Sequence, residues 1–464
     1  MYPIVALSIT GLITLFLGFS PSRKVLLPAT VFFLLIGLLS SYIDWNAPGT
    51  YFSEMLLIDN QSIIFSTVLI LATILVVLLS DEYLHDDVAQ PAEYLALVQF
   101  ALVGAIIMVS FKNLIMLFVG IEILSVSIYV LTGSDKRNIR GNEAAVKYLL
   151  MGSFATGILL FGMAMYYGGI GTFDIMDAIP VIQQQGSILP IYFSVGIVFM
   201  LIGMFFKVSA APFHFWTPDV YEGAPTIYTT FMSTIVKTAG FAAIYKVLSL
   251  SFGSSYDFWA PMVLVMTTLT IIVGNMIAVY QVNFKRMLAY SSISHAGYMM
   301  LALVGLQQQS IVSIAFYSVA YVLATITAFG VLMVVSKDRL LNGRPDENIS
   351  VLNGLAKKNG FLAFVLAISM LSLSGIPLTA GFWGKFMVFN DAANKGYWWL
   401  LIVAICMSAV SIYYYFKPIR AAFLKKSEVD EVISLPIRFK FVFLLCLVGT
   451  LLFGLAPDLL RMIF

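Results

Sequence analysis

The chain has 464 residues, a formal net charge of +2, and is 60% hydrophobic with only 11% charged residues. Soluble proteins carry about 25% charged residues, so this chain has too little polar surface for water and needs lipid as its solvent. The near-neutral balance gives no electrostatic case for nucleic acid, and the two cysteines, Cys406 and Cys446, both in apolar runs, cannot by themselves hold an iron–sulfur cluster or a structural zinc.

A hydrocarbon core of about 30 Å requires roughly 20 apolar residues per helix. Fourteen stretches qualify, near 3–20, 25–43, 62–80, 92–110, 113–132, 144–168, 190–216, 226–250, 258–281, 287–305, 311–336, 360–390, 397–416 and 441–458. Helices are expected because lipid offers no partner for unsatisfied backbone groups. The expected fold is therefore an all-α membrane protein of about fourteen transmembrane helices. The chain opens Met1-Tyr2-Pro3 with no positive segment ahead of the first span, so no cleaved signal peptide is expected. Placing both termini outside puts eighteen Lys and Arg residues in cytoplasmic connections against three outside, namely Lys112, Lys395 and Arg461. That bias predicts this orientation.

Spans seven and twelve are both interrupted, at Ser209-Ala210-Ala211-Pro212 and at Ser374-Gly375-Ile376-Pro377. Proline removes a donor and clashes with the preceding turn, so each helix should kink or break there. The two elements lie 165 residues apart, and spans four and nine start 166 residues apart. The match predicts two five-helix repeats, the second inverted because five is odd. The expected units are N-terminal helices over 1–90, a first repeat over 91–252, a second over 253–426 and a C-terminal helix over 427–464. Inverted repeats with broken helices near mid-membrane are a transporter design.

An ionisable residue at a span centre costs roughly 2.5–3.5 kcal/mol on insertion scales, so it has a function or a partner. Glu122 lies midway along span five, where the alternative is a protonated carboxyl bonded to a neighbouring helix. Lys207 precedes the break of span seven, Lys237 centres span eight, and Lys385 follows the break of span twelve. The alternatives are a structural ion pair for Lys207 and Lys237, and snorkelling to an edge for Lys207 and Lys385. Desolvation favours a lysine's neutral form and a nearby carboxylate its charged form, so moving a partner switches proton affinity. His295 stands among Ser291, Ser292 and Ser294; a histidine near pKa 6.5 suits a proton relay, and a packing role is its alternative. Lys147 is only a few residues inside span six, where snorkelling competes equally, and Lys246 near the outer edge of span eight reads better as snorkelling. All six candidates can carry a proton. No Gly-rich dinucleotide turn, phosphate loop or cysteine cluster accompanies them, so no redox centre or metal site is expected in this chain.

At these residues the chain resembles the antiporter-like subunits of respiratory complex I, most closely the subunit N family of NADH–quinone oxidoreductase. The resemblance covers nearly the whole chain. It is carried by Gly120 to Ser125, by Glu143 to Leu149, by Phe206-Lys207 through Pro225, by Phe284-Lys285-Arg286 through Tyr298, and by Gly375-Ile376-Pro377 to Lys385. It implies that Glu122 pairs with Lys207, that Lys237 receives the proton, that His295 and Lys385 continue the path outward, and that Lys147 modulates the pair. It also implies a proton-translocating membrane-arm subunit in a bacterial inner membrane, among other complex I membrane-arm subunits. No cofactor is implied in this chain; NADH, FMN, iron–sulfur clusters and quinone are handled mainly by partner subunits. Subunit L carries extra C-terminal helices, and subunit M usually has glutamate where Lys385 stands; both differences favour subunit N. Cation–proton antiporter subunits of Mrp-type complexes share the Glu/Lys pair and are the alternative.

Overall fold

Long apolar runs in this sequence have no soluble alternative to helix, and the computed structural model is built from them almost throughout. It describes residues 1–20, 23–80, 90–184, 191–337, 339–341, 344–426 and 432–462. The boundary expected at 426/427 abuts residues 427–431, which lie outside the described residues. In chain order the helices are α1 (Tyr2–Leu17), α2 (Leu26–Ser41), α3 (Asn60–Leu79), α4 (Pro91–Ser110), α5 (Leu114–Thr132), α6 (Ile139–Ile170), α7 (Ile191–Lys207) and α8 (Trp216–Gly223). Then follow α9 (Thr226–Phe231), α10 (Lys237–Lys246), α11 (Tyr256–Tyr280), α12 (Phe284–Gly305), α13 (Ser310–Ser336), α14 (Gly360–Ser374), α15 (Ala380–Asn394), α16 (Trp398–Leu424) and α17 (Ile437–Leu455). Among the described residues, eleven helices are long and apolar enough to cross a membrane, and Tyr2–Leu17, Ile191–Lys207 and Gly360–Ser374 are shorter apolar helices. The expected fourteen is reached only by adding these three. Two of them, α7 and α14, are the first halves of the broken elements.

The two five-helix units share one packing plan. In the first, α4 lies along α5, α6 packs against both α7 and α8, and α10 returns to α4. In the second, α11 lies along α12, α13 packs against both α14 and α15, and α16 returns to α11. Each unit thus closes its fifth element on its first and wraps its third around the broken fourth.

Both breaks fall where proline predicts, and both are wider than a kink. Ser209 adopts φ +64° after α7, and the chain resumes as helix only at Trp216. At the second break Gly375 (φ +83°) and Leu378 (φ +75°) leave the helical region. Carbonyls freed in a low-dielectric core need donors. The Trp216 indole donates to the Phe206 carbonyl at 3.1 Å, and the Ala211 amide donates to Thr270 Oγ1 of α11 at 2.8 Å. At the second break the donor to the Ser374 carbonyl is the Lys385 ammonium itself, at 2.8 Å.

Span eight differs from its expectation. It is not one α-helix: a π-helical turn, Met232–Val236, precedes Lys237, and a second, Val247–Ser251, ends the element. Wide turns of this kind inside helices recur at functional sites. Neither carries a proline, and the first carries no glycine, so nothing in the sequence marks it.

The two ends of the bundle are chemically distinct. One end carries a short hairpin, β1 (Gly49–Tyr51) with β2 (Leu56–Ile58), and Lys112, whose ammonium reaches Glu54 at 3.0 Å and Asp174 at 3.2 Å. The bond to Glu54, joined by Asp174 and opposed by burial, holds that ammonium above the ordinary lysine range. The other end carries an ion cluster that spans the two units. Arg286 of α12 reaches Asp219 at 2.9 Å and Glu222 at 2.8 Å on α8, and Lys147 of α6 reaches the same Asp219 at 2.9 Å. Lys285 pairs with Glu347 at 2.9 Å and donates to the Ala224 carbonyl at 2.6 Å.

Two outcomes test this packing. At Gly375 an added Cβ would lie 2.7 Å from Lys385 Cδ, on a backbone with φ +83°. Gly375→Ala should therefore cost about 1–2 kcal/mol in backbone strain alone and displace the lysine; an unchanged thermal midpoint in detergent would remove the argument. Asp219→Asn leaves Arg286 with Glu222 and Lys147 with Glu143. A loss of about 1 kcal/mol is expected for an ion network of this exposure, shrinking at high salt, and a salt-independent loss measured by thermal unfolding would contradict it.

Candidate proton-relay site

The site begins with residues that lipid should have excluded. Lys207, Lys237, His295 and Lys385 are all buried, with Lys237 only 1% exposed. Their burial deep in the bundle removes the snorkelling alternative for Lys207 and Lys385. Among the described residues none of the three lysines has a carboxylate within 4.0 Å, which also removes the tight structural ion pair.

Lys207 ends α7 and turns to α5, where it donates to Ser125 Oγ at 2.7 Å and approaches Tyr129 Oη at 3.4 Å. The resemblance implied a pair with Glu122, and the structure places Glu122 differently. Its charge is felt at Lys207 and Tyr129, but Ser125 and Tyr129, three and seven residues further along the same helix, occupy the ammonium's hydrogen bonds. Glu122 is half-buried, with Oε1 enclosed and unbonded, on the side of α5 that also exposes Val126 and Val130.

Lys237 follows the π turn and donates to the Ser292 carbonyl of α12 at 2.5 Å. Three residues later on α12, His295 is held between two phenols. Its Nδ1 lies 2.7 Å from Tyr317 Oη and its Nε2 lies 2.9 Å from Tyr415 Oη. A neutral imidazole donates from one nitrogen and accepts at the other. Both phenols can do either, so exchanging tautomers reverses both bonds without moving a heavy atom. Tyr415 is in turn bonded to Ser291. Tyr414 donates to Asn275 Oδ1 at 3.0 Å, and Asn275 Nδ2 donates to Tyr298 Oη at 3.1 Å.

Lys385 on α15 donates to Ser374 O at 2.8 Å and Ser408 Oγ at 3.0 Å, and its ammonium sits 4.8 Å from the centre of the Tyr298 ring. A cavity of about 10 Å³ lies between His295, Tyr317 and Tyr321 on one side and Ser372, Gly381 and Gly384 on the other. That is about one water-sized sphere, between the histidine and the break that holds Lys385. Charges on Lys237 and Lys385 are both felt at His295. Lys237, His295 and Lys385 thus form one polar centre. No chain of direct hydrogen bonds joins Lys207 to Lys237 among the described residues.

Lys147 is not brought to this centre. Helix α6 starts at Ile139, capped by Asn138, five residues before the expected edge of the span. Lys147 keeps 40% of its side chain exposed and is held in the ion cluster by Glu143 at 2.7 Å and Asp219 at 2.9 Å. Its neighbour Tyr148 is the residue that faces inward, edge-on to Tyr129 and stacked on Trp216. The sequence reading missed the phenols and hydroxyls: Tyr129, Tyr317, Tyr415, Tyr298 and Ser408. The Tyr413–Tyr415 run inside an apolar span was the available signal.

Comparison with known proteins agrees with this architecture. Residues 112–411 match the family described as NADH:quinone oxidoreductase/Mrp antiporter, TM. NADH-quinone oxidoreductase subunit N of Cytophaga hutchinsonii is 40% identical over 467 residues, covering 100% of this chain and 99% of that protein. The subunit N of Flavobacterium psychrophilum is 37% identical, covering 99% of each. A chain of respiratory complex I from Thermus thermophilus, solved with bound aureothin, superposes with a TM-score of 0.84 at 33% identity, covering 99% of this chain and 98% of that one. A chain of the Mrp complex from Dietzia superposes with a TM-score of 0.84 at 20% identity, over 99% of this chain and 95% of that one, and shows the fold alone. This chain belongs to the NADH–quinone oxidoreductase/Mrp antiporter membrane family and, within it, to the subunit N family of NADH–quinone oxidoreductase.

Proposed function

We propose that the chain is the proton-translocating subunit N of a bacterial NADH–quinone oxidoreductase, moving protons through Glu122, Lys207, Lys237, His295 and Lys385. The observation that carries this reading is the buried series of titratable groups held by hydroxyls and carbonyls rather than by carboxylates. Glu122, on a lateral face, is where a charge disturbance from neighbouring membrane-arm subunits enters. Bringing negative charge closer favours protonated Lys207, and withdrawing it favours release. The proton passes to Lys237, crosses His295 by the tautomer exchange that Tyr317 and Tyr415 permit, and reaches Lys385. Each charge moved against the potential costs about 2.3 kcal/mol per 100 mV, which quinone reduction elsewhere in the complex supplies.

The chain's own part is proton transfer. NADH, FMN, iron–sulfur clusters and quinone belong to partner subunits in this reading, and the enzyme is a translocase only as the assembled complex. An even number of crossings, with α7–α8 and α14–α15 each counted once, would leave both termini on one side, and the Lys/Arg bias of the connections supports the outer side of the inner membrane. The repeats over 91–252 and 253–426 are inverted with respect to each other, flanked by the 1–90 helices and the C-terminal helix. Lys147 acts at a distance, by tethering Asp219 on α8 beside the first break.

Lys237→Ala tests the relay in the assembled complex. NADH-driven proton uptake by inverted membrane vesicles should fall about 100-fold or more, as expected for loss of a positioned proton-transfer group, with the complex still assembled on a native gel. Full uptake with normal assembly would exclude Lys237. The Mrp-type alternative predicts sodium-dependent proton flux without NADH dehydrogenase subunits co-purifying.

A further inference from the structure

The relay as drawn stops at Lys385, still enclosed. Six residues further along the same helix is a second ionisable group that the relay does not use. Asp391 is 4% exposed, and its Oδ2 has no hydrogen-bond partner. A carboxylate kept for structure alone would have both oxygens bonded, because an unpaired buried charge is costly. The hydroxyls of Ser310 and Ser313, at the start of α13, lie against it, and its charge is felt at Tyr245 of α10.

Tyr245 is also part of the wall of a cavity at this end of the bundle. That cavity, about 640 Å³, is lined by Tyr245, Lys246 and Ser249 from α10 and its π turn, by Asp59 and Gln61 at the start of α3, and by Ile311, which follows Ser310. The Lys246 ammonium sits 5.2 Å from the centre of the Phe111 ring and is near enough to feel Asp59. The lining is polar on several sides and the volume holds many waters. It opens at the end carrying Lys112 and the β1–β2 hairpin, opposite the Arg286 cluster.

We propose that Asp391 is the exit group of the relay, taking the proton from Lys385 and releasing it, past Tyr245, into this vestibule. The step balances simply. The Lys385 ammonium becomes a neutral amine as the Asp391 carboxylate becomes a carboxylic acid, and the acid then returns to carboxylate by protonating vestibule water. Six helical residues correspond to about 9 Å along the axis and about 120° around it, so the transfer runs through a swing of the lysine side chain together with intervening water. Lys246 and Asp59 keep the vestibule hydrated, and the positive charge of Lys246 discourages return of the proton. The inference rests on the relay reading above and extends it by one residue and one compartment.

The test uses the assembled complex in inverted vesicles, comparing Asp391→Asn, Asp391→Glu and Lys385→Ala for NADH-driven proton uptake. Asp391→Asn should lose about 100-fold, the modest end for a positioned acid–base group. Asp391→Glu should retain most uptake, and Lys385→Ala should fall as well. Normal uptake in Asp391→Asn with a deficient Lys385→Ala would overturn the exit and leave the relay standing. Normal uptake in both would overturn the relay too. Should Asp391→Asn fail to assemble, Ser249→Cys supplies an independent reading, since Ser249 lines the vestibule and takes no part in proton transfer. Modification by a membrane-impermeant thiol reagent, applied to intact cells before vesicles are made, should block uptake in Ser249→Cys and not in the parent, whose own cysteines are Cys406 and Cys446. Complete modification without loss of uptake, or modification only from the inner face, would overturn the proposal.

Discussion

An ammonium removed from water must be stabilised by something, and the choice of partner decides whether it can still lose its proton. A carboxylate in direct contact fixes the charge, and breaking such a buried pair costs several kcal/mol. Here Lys207, Lys237 and Lys385 are held instead by Ser125, by the Ser292 carbonyl, and by Ser374 O with Ser408. Neutral dipoles accept a hydrogen bond from the ammonium without enforcing its charge. They also leave the neutral amine a tolerable state, since its remaining N–H can donate to the same oxygens. The rest of the architecture follows from the need to supply such dipoles inside hydrocarbon.

Along a continuous helix the carbonyls are already engaged within the segment, so Lys207 takes a side-chain hydroxyl of α5 and Lys237 shares the Ser292 carbonyl of α12. The two breaks release carbonyls at the depth where the lysines sit, and they do so unequally. At the first break Trp216 satisfies Phe206 O, so Lys207 is left to reach across to α5. At the second, Lys385 takes the freed Ser374 carbonyl itself. The difference matches the order of residues: one lysine precedes its proline, the other follows it. One unit therefore presents its lysine to Ser125 and Tyr129 of α5, while the other presents its lysine to Ser374 O and to Ser408 of α16. A repeated packing plan thus yields two non-equivalent lysine environments.

Much of this was legible because lipid is an unforgiving solvent. Hydropathy locates the spans, and each charge inside one is conspicuous, so Glu122, Lys207, Lys237, His295 and Lys385 can be singled out from position alone. The partners could not. Tyr317 and Tyr415 flank His295 from α13 and α16, separated from it by 22 and 120 residues, and only tertiary packing selects them from the chain's 23 tyrosines. The π turn before Lys237 is likewise silent in sequence, since Met232–Val236 carries no residue that disfavours an α-helix strongly. Lys147 was undecided between relay and snorkelling for a different reason. Helix α6 runs past the apolar stretch, and counting hydrophobic residues gives the thickness of the membrane rather than the end of the helix.

The position of Glu122 bears on how a distant reaction can act on this chain. A carboxylate locked to Lys207 would share its field with that one partner, and little would change when a neighbouring subunit's charge moved. Glu122 instead stands on the side of α5 that exposes Val126 and Val130, one enclosed oxygen unbonded, while Ser125 and Tyr129 take the lysine's hydrogen bonds. In a medium of low effective dielectric a charge acts over a longer range than in water, while remaining sensitive to what approaches from outside the chain. The carboxylate is then an adjustable field source rather than a fixed counter-ion. In the proposed relay a disturbance arriving at its outer side would alter proton affinity at Lys207 without any helix having to move. The rigid packing around both breaks is compatible with such a mechanism, and a mechanism that required large helix displacements would have to disrupt it.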